Sequence, residues 1–385
     1  YYSMKIINLS SIANPISISV QNPSRSDYDR FIGLEHYDSG EPVITRFQGT
    51  ELLTTSAKAF KANDILIARR NVYLKRAGIV FFDGITSGDS IILRLKEDTQ
   101  KTIGYSREDL IRYIPFMLNS EHFWIYANKH ADGMNSKRIS KDTLLEYEFE
   151  LPSIDEMRDI SDKLWAAYRL KEAYKKLLVT TDEMVKSQFI EMYYNTHNKQ
   201  TLESVCPIMS KGITPKYVES SSVLVINQAC IHWDGQRLGN IKYHNEEIPV
   251  RKRILESGDV LLNATGNGTL GRCCVFICPS DNNTYINDGH VIALSTDRAV
   301  ILPEVLNTYL SLNDTQAEIY RQYVTGSTNQ VDIVFSDIKK MKVPVPSMDE
   351  QILFVEVLKQ ADKSKFELKQ CIEHIDKVIK SLING

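Results

Sequence analysis

One short segment occurs twice in the chain. Leu151-Pro152-Ser153-Ile154-Asp155-Glu156 returns as Val345-Pro346-Ser347-Met348-Asp349-Glu350, 194 residues later. Self-similarity at a fixed offset means that one supersecondary unit is used twice, which rules out most single-core folds. Each copy sets a serine three residues ahead of a glutamate. That is the pattern of a capping box, in which the serine hydroxyl accepts a backbone N–H and the glutamate reaches back to the serine N–H. The preceding proline favours an extended approach to the helix. No glycine or proline then follows up to Tyr194 in the first copy and Asn384 in the second. Two long helices are expected. In the second, Leu358, Ala361, Lys365, Leu368, Ile372, Ile375, Ile379 and Leu382 step by three and four, a heptad seam. The equivalents in the first are Leu164, Ala167, Lys171, Tyr174, Leu178, Thr181, Val185 and Gln188. Shared cap, length and register predict that the helices pair with each other, rather than forming two unrelated surface helices. Leu164, Tyr174, Leu178 and Val185 would then meet Leu358, Leu368, Ile372, Ile375, Ile379 and Leu382.

The regions ahead of the helices repeat more faintly. Lys61-Ala62-Asn63-Asp64-Ile65-Leu66-Ile67 resembles Glu256-Ser257-Gly258-Asp259-Val260-Leu261-Leu262, offset by 195. Each is followed by polar residues, then by β-branched runs (Gly78–Phe82 and Cys274–Ile277) and by Ser90–Leu93 or His290–Leu294. Short apolar runs broken by Gly, Asn and Asp predict mixed α/β domains with long loops. Helical patterns near Leu110–Asn119 and Pro303–Tyr323 complete the units. The expected organisation is α+β: a domain over 4–150, a helix over 151–196, a second domain over 197–345 and a second helix over 346–385.

A chain of 385 residues with 43% hydrophobic and 25% charged residues suits two or three globular domains, not a disordered polymer. No apolar stretch is long enough to cross a bilayer and no signal segment opens the chain, so a cytoplasmic location is expected. Tyr1–Ser3 read as an addition ahead of a native Met4. A net charge of −3 and a pI near 6.3 argue against a simple polyanion sponge, although positive charge can still be gathered locally. Cys273, Cys274, Cys278, His290, Cys230 and His232 raise zinc. The spacing is not C-x-x-C and the cysteines sit in a strand-like run, so no metal site is assigned.

Gly266-Asn267-Gly268-Thr269-Leu270-Gly271 fits G-x-G-x-x-G after an apolar strand. A dinucleotide or methyl-donor loop would need a helix to begin there, so that its N–H groups face an anion. Arg272–Ile277 reads as a strand instead, so a turn in a β-hairpin is expected. Walker, H-E-x-x-H and G-x-S-x-G motifs and an Asp/Asn-Pro-Pro-aromatic signature are absent from the sequence. No catalytic residue is assigned. The remaining polar clusters suit DNA. The first unit offers Arg69, Arg70, Asn71, Lys75, Arg76, Asn135, Lys137 and Arg138. The second offers Lys211, Thr214, Lys216, Asn263, Thr265, Asn267, Ser327, Thr328, Asn329 and Gln330, with Arg251-Lys252-Arg253 nearby. Arg and Lys suit phosphates and guanine edges, and Asn and Gln suit adenine edges.

Taken together, these features resemble the specificity subunit of type I restriction–modification systems. The resemblance spans the chain. It rests on the repeated caps Pro152–Glu156 and Pro346–Gln351 and on Gly212-Ile213-Thr214-Pro215, Gly258–Leu262, Gly266–Gly271 and Gly326-Ser327-Thr328. The first domain departs from the pattern: Gly133-Met134-Asn135 stands where Gly-Ser-Thr is usual, and Met157 replaces the glutamine that follows the cap glutamate. The resemblance implies two target-recognition domains, each reading half of an interrupted, asymmetric double-stranded DNA target, and two helices pairing antiparallel as a spacer. It also implies docking of two methyltransferase subunits, which would bring S-adenosylmethionine, while this chain binds no cofactor. Motor and nuclease subunits would join for cleavage. A standalone DNA-modifying enzyme with unusual motifs and a coiled-coil scaffold without a DNA role are the alternatives.

Overall fold

The computed structural model of the chain describes residues 5–327 and 330–385. They divide into two compact units. The first runs up to Lys176 and takes in Leu368–Gly385; the second is Leu177–Glu367. The division falls inside both long helices, so each unit combines one globular half with a segment of each helix.

In the first unit a four-stranded antiparallel sheet runs Ala13–Ile16, Ser90–Leu95, Ile65–Ala68, Ala77–Ile79. Ile65–Ala68 is buried on both faces: Ile65 and Ile67 enter one apolar cluster, Leu66 and Ala68 another. That is why it reads as a continuous apolar run rather than an alternating one. Just ahead of it, Asn63 holds a left-handed φ of 71°. Asp64 accepts from the Lys61 N–H at 2.8 Å and from Nε and Nη2 of Arg94 at 2.7 Å. A buried carboxylate is thus held by a turn and a guanidinium fork. Helices Arg107–Met117 and Glu121–Lys129 cover this sheet's larger cluster, and Lys5–Asn8 pairs antiparallel with Glu148–Leu151. The second of these helices is not evident from the sequence pattern.

The second unit repeats this frame. Its sheet runs Ile208–Lys211, Val291–Ser295, Val260–Asn263, Cys273–Val275, all antiparallel. Lys199–Thr201 pairs with Lys342–Pro344. Gly258 takes the left-handed position at φ 96°, where a non-glycine residue carries a steric cost. Asp259 accepts from the Glu256 N–H and from Nε and Nη2 of Arg253. The helical run expected over Pro303–Tyr323 is two helices, Pro303–Ser311 and Asn313–Gln322. Leu312 between them is extended, with ψ 142°, which ends the first helix and turns the chain into the second.

Each unit carries a second four-stranded sheet, and here the copies diverge. In the first the order is Ser19–Val20, Ala57–Phe60, Gly84–Thr86, Phe31–Ile32. In the second it is Tyr217–Val218, Lys242–His244, Val223–Ile226, Thr284–Asn287. Numbered along the chain, the first is ordered one-three-four-two and the second one-three-two-four, with strands two and four parallel in both.

The long helices are Ile154–Tyr194 and Met348–Asn384; the second ends at the glycine that follows it, whereas the first stops short of the next proline, Pro207. Both capping boxes form. Ser153 Oγ accepts from the Glu156 N–H at 3.3 Å while Glu156 accepts from the Ser153 N–H at 3.1 Å; Ser347 and Glu350 do the same at 3.4 and 3.0 Å. Within the second unit Asp182 meets Lys365 and Phe189 packs edge-on against Phe354, so the helices run antiparallel there. Within the first unit Lys171 meets Asp376. Lys171 and Lys365 are 194 positions apart, as are Asp182 and Asp376. The two bridges are therefore one contact made twice with the partners exchanged. Of the seam residues, Leu164, Val185 and Ile375 are buried, and Tyr174, Leu178, Leu358, Leu368, Ile372, Ile379 and Leu382 are partly buried. Beyond Val185 the buried position moves to Phe189, and Gln188 is exposed.

Candidate nucleic-acid interface

In the first unit the loop leaving Ile65–Ala68 meets a second loop closed by an antiparallel bridge between Asp132 and Arg138. Gly133 makes that turn at φ 125°, and a side chain there would press on the Ser136 carbonyl. The loops are stitched backbone to backbone: Asn71 N–H donates to Lys137 O at 2.8 Å, Ile139 N–H to Arg69 O at 3.0 Å, and Arg70 bridges Arg138. Asn71, itself left-handed at φ 53°, also accepts from the Ser136 hydroxyl. Arg69, Arg70, Asn71, Asn135, Lys137 and Arg138 are thereby gathered in one place from segments some 65 residues apart. Asn135, Lys137 and Arg138 are exposed, as are Met134 and Tyr73. Lys75 is exposed across the short turn Val72–Leu74. Arg76 turns inward, donating to Leu34 O and Arg70 O, and acts as a brace. Arg70 pairs with Asp89 at 3.4 Å.

The second unit builds the same crossing. Gly266–Gly271 is a turn inside the hairpin of Val260–Asn263 with Cys273–Val275, with Gly266, Gly268 and Gly271 all at positive φ. No helix starts there, so no row of helix N–H groups faces an anion. A hairpin of Val324–Ser327 with Gln330–Ile333 lies against this turn: Thr265 bridges Asp332 and Ile333 N–H donates to Ala264 O at 2.8 Å. Gly326 holds φ 117°, with the Gln330 carbonyl where a side chain would begin. Ser327, Gln330 and Asn267 are exposed at the rim; Thr328 and Asn329 lie outside the described residues. Thr265 shares a 2.9 Å hydrogen bond with His290 Nδ1. The segment from Gly212 joins the segment that carries His290 through an Ile213–Asp288 bridge. Any side chain at Gly212 would collide with the carbonyls of Asn287 and Asp288, which accounts for the glycine. Asp288 is buried, and that burial raises its carboxyl pKa. Thr214 and Lys216 follow, exposed.

Several candidates in this unit turn out to hold the fold. Asn263 is fully buried and donates to Gln228 O and Thr269 O, bracing the glycine turn. Lys211 is held by Asp332 at 3.1 Å. Of the basic triplet, Lys252 donates to the carbonyls of Lys211 and Gly212, and Nε and Nη2 of Arg253 are taken by Asp259; only Arg251 stands exposed with its charge unengaged. Cys273 and Cys274 point into different apolar clusters, as neighbours on a strand must, so they do not converge on one ion. Burial pushes the Cys274 thiol up to about 12 and Cys273 higher still. Among the described residues, no three His, Cys, Asp or Glu side chains come together as a metal site.

Two residues of the crossings escaped the sequence reading: Asp89, and His290, which was weighed only as a zinc ligand. The signal was available. Asp89 stands one residue ahead of Ser90–Leu93 and His290 opens His290–Leu294, so each marks the head of the third β-branched run of its copy.

Two repeated mixed domains, each with a loop crossing at one end of its central strand, joined by long capped helices, define a protein class with two recognition modules. Residues 198–376 match the model of the type I restriction modification DNA specificity domain. No curated protein sequence matches the chain. Over its whole length the chain has the fold of a chain from work on complex assembly and conformational transition of the type I R-M system (TM-score 0.59, 15% identity, 100% of this chain and 97% of that one). It also shares the fold of the type I restriction–modification S subunit from M. genitalium (TM-score 0.54, 13% identity, 100% and 96%). Residues 198–376 therefore carry the likeness to that specificity domain, and the chain as a whole has the fold of these type I chains.

Proposed function

We propose that the chain is the sequence-reading subunit of a type I DNA methylation complex, each globular unit reading one half of an interrupted, asymmetric target. One observation carries this reading. The same backbone crossing is built twice, 194 to 195 residues apart, and bears different polar side chains each time. Constant backbone with varied side chains is how a scaffold reads two different sequences, because sequence information resides in side-chain contacts to base edges. Supporting it, the first crossing concentrates cations in a chain whose net charge is −3, which favours phosphate contact despite the overall sign.

The chain itself catalyses nothing in this reading. The long helices present apolar side chains outside their seam, among them Leu170, Leu177, Val179, Leu353 and Phe366, all more than 40% exposed. Exposed apolar rows on a helix favour a protein partner. That partner is a pair of methyltransferase subunits, which supply S-adenosylmethionine and the adenine-modifying chemistry, with motor and nuclease subunits added where DNA is cut. The assembly works in the cytoplasm; no helix among the described residues is long and apolar enough to cross a membrane.

The test is co-expression with the cognate methyltransferase, followed by long-read mapping of methylated adenines. A two-part motif with a fixed spacer that disappears when this chain is omitted is the expected result. Methylation that persists without the chain overturns the proposal, as does S-adenosylmethionine binding by the isolated chain in calorimetry.

A further inference from the structure

The two crossings can be superposed residue by residue through the strands beside them. Ala68 pairs with Ser90 in the first unit and Asn263 with Val291 in the second, which makes Arg70 equivalent to Thr265 and Asp89 to His290. The backbone around these positions is the same in both. Arg69 N–H donates to Asp89 O at 2.9 Å, and Ala264 N–H to His290 O at 2.8 Å. Ile139 N–H donates to Arg69 O at 3.0 Å, and Ile333 N–H to Ala264 O at 2.8 Å.

On this common frame the two side chains touch each other in both units, with different chemistry. In the first they form an ion pair, Arg70 with Asp89. In the second they form a hydrogen bond between the Thr265 hydroxyl and His290 Nδ1. In each pair one member fixes the other and leaves its outer end open. The Arg70 side chain is 40% exposed, and Asp89 meets it through Nη2 alone at 3.4 Å, which leaves Nη1 of the fork unengaged. His290 is exposed, and the bond at Nδ1 fixes the ring with Nε2 as its free polar atom. An oriented guanidinium matches the two acceptors on the guanine major-groove edge, whereas a ring nitrogen makes a single contact.

We propose that these two positions, 70 with 89 and 265 with 290, are a specificity pair: Arg70 and His290 read bases, and Asp89 and Thr265 aim them. This rests on the DNA-reading function above. It adds that Arg70 governs one base position in one half-site, that position being a guanine, and that His290 governs one position in the other half-site. Asp89 and Thr265 are positioning residues acting through their partners.

The experiment uses the intact chain co-expressed with its methyltransferase and reads adenine methylation genome-wide. Arg70→Gln should lower methylation of sites bearing the original base roughly ten- to hundredfold relative to sites altered only at that base. The other half-site should be unaffected. Asp89→Asn should relax the same position as Arg70→Gln, and His290→Gln a position in the opposite half-site only. Arg70→Lys keeps the charge but not the fork and should lose the same discrimination, so it serves if the glutamine variant does not fold. Uniform loss of methylation at all sites would assign Arg70 to phosphate and overturn the pair, as would a change in both half-sites or an unaltered motif in the lysine variant. A wild-type complex with no motif at all would instead remove the DNA-reading function on which the pair depends.

Discussion

The residue after each cap glutamate separates the two units more sharply than any loop does. In the second unit Gln351 is fully buried, its amide donating to Val300 O and Pro346 O at 2.9 Å and accepting from Leu302 N–H at 2.8 Å. In the first unit the same place is Met157, also fully buried, but packed in the apolar cluster with Leu151 and Phe149. One unit ties its helix to its domain with a polar staple, the other with a thioether in a core. Both solutions satisfy the same requirement, because a buried amide is tolerable only when its hydrogen bonds are made. The glutamine can therefore be absent from one copy without the junction being lost.

Exchanging the two should break both, and these are the largest effects expected. Met157→Gln would bury an amide with no partner waiting for it, at a cost of about 3 kcal/mol. Gln351→Met would strand the Leu302 N–H and two carbonyls at a similar cost. Denaturant melts of the two variants check this. A Met157→Gln variant as stable as the parent would mean that the first junction holds an unrecognised polar partner, and the comparison would fail.

The exchanged salt bridges offer a smaller contrast. Lys171 is buried between Glu41 and Asp376, whereas Lys365 is more exposed and meets Asp182 and Asp362. Burial alone would lower either lysine's pKa; the hydrogen bonds to carboxylates outweigh it and leave both raised. Lys171→Met leaves two carboxylates facing each other at a half-buried site and should cost about 2 kcal/mol. Lys365→Met should cost about 0.5 kcal/mol, the scale of an exposed pair. The pH dependence has a definite sign. A pKa raised on folding contributes fully below the ordinary lysine value of about 10.4 and is lost as pH rises through the raised one. The gap between parent and Lys171→Met should thus stay level from pH 7 to 9 and narrow only above pH 10. Equal costs at the two lysines would show that Glu41 adds nothing.

The repeat, the caps, the helix ends and the central strands of both sheets were legible in the sequence because each depends on local signals: a box of four residues, a missing glycine, an apolar run. The order of the second sheet was not, since exchanging strands two and four changes no local pattern. Neither was the inward turn of Arg76 or the capture of Arg253 by Asp259. A basic triplet looks the same on the page whether its fork faces solvent or a buried carboxylate. The break at Leu312 was hidden because leucine suits a helix interior, and its extended backbone follows from packing rather than propensity. For the candidate interface, sequence placed the loops but not their crossing, which depends on backbone pairing between segments some 65 residues apart.

The smallest effect tests what the units share. Ser153 and Ser347 make the same box with the same geometry, both at exposed helix starts. Replacing either by alanine removes the acceptor for the glutamate N–H while leaving that glutamate free to reach the backbone of the new residue. Each change should cost about 1 kcal/mol, the usual value of a lost cap. The costs should agree within about 0.3 kcal/mol, because neither box touches what differs between the units. Aspartate at either position, which keeps a capping oxygen and favours the helix N-terminus electrostatically, should restore most of the loss. Calorimetry on the single and double alanine variants decides the matter. The two caps are far apart in sequence and share no partner, so the double variant should lose the sum of the single losses. A double loss well below that sum would mean that one cap governs both helices, and that the repeat is less modular than its geometry.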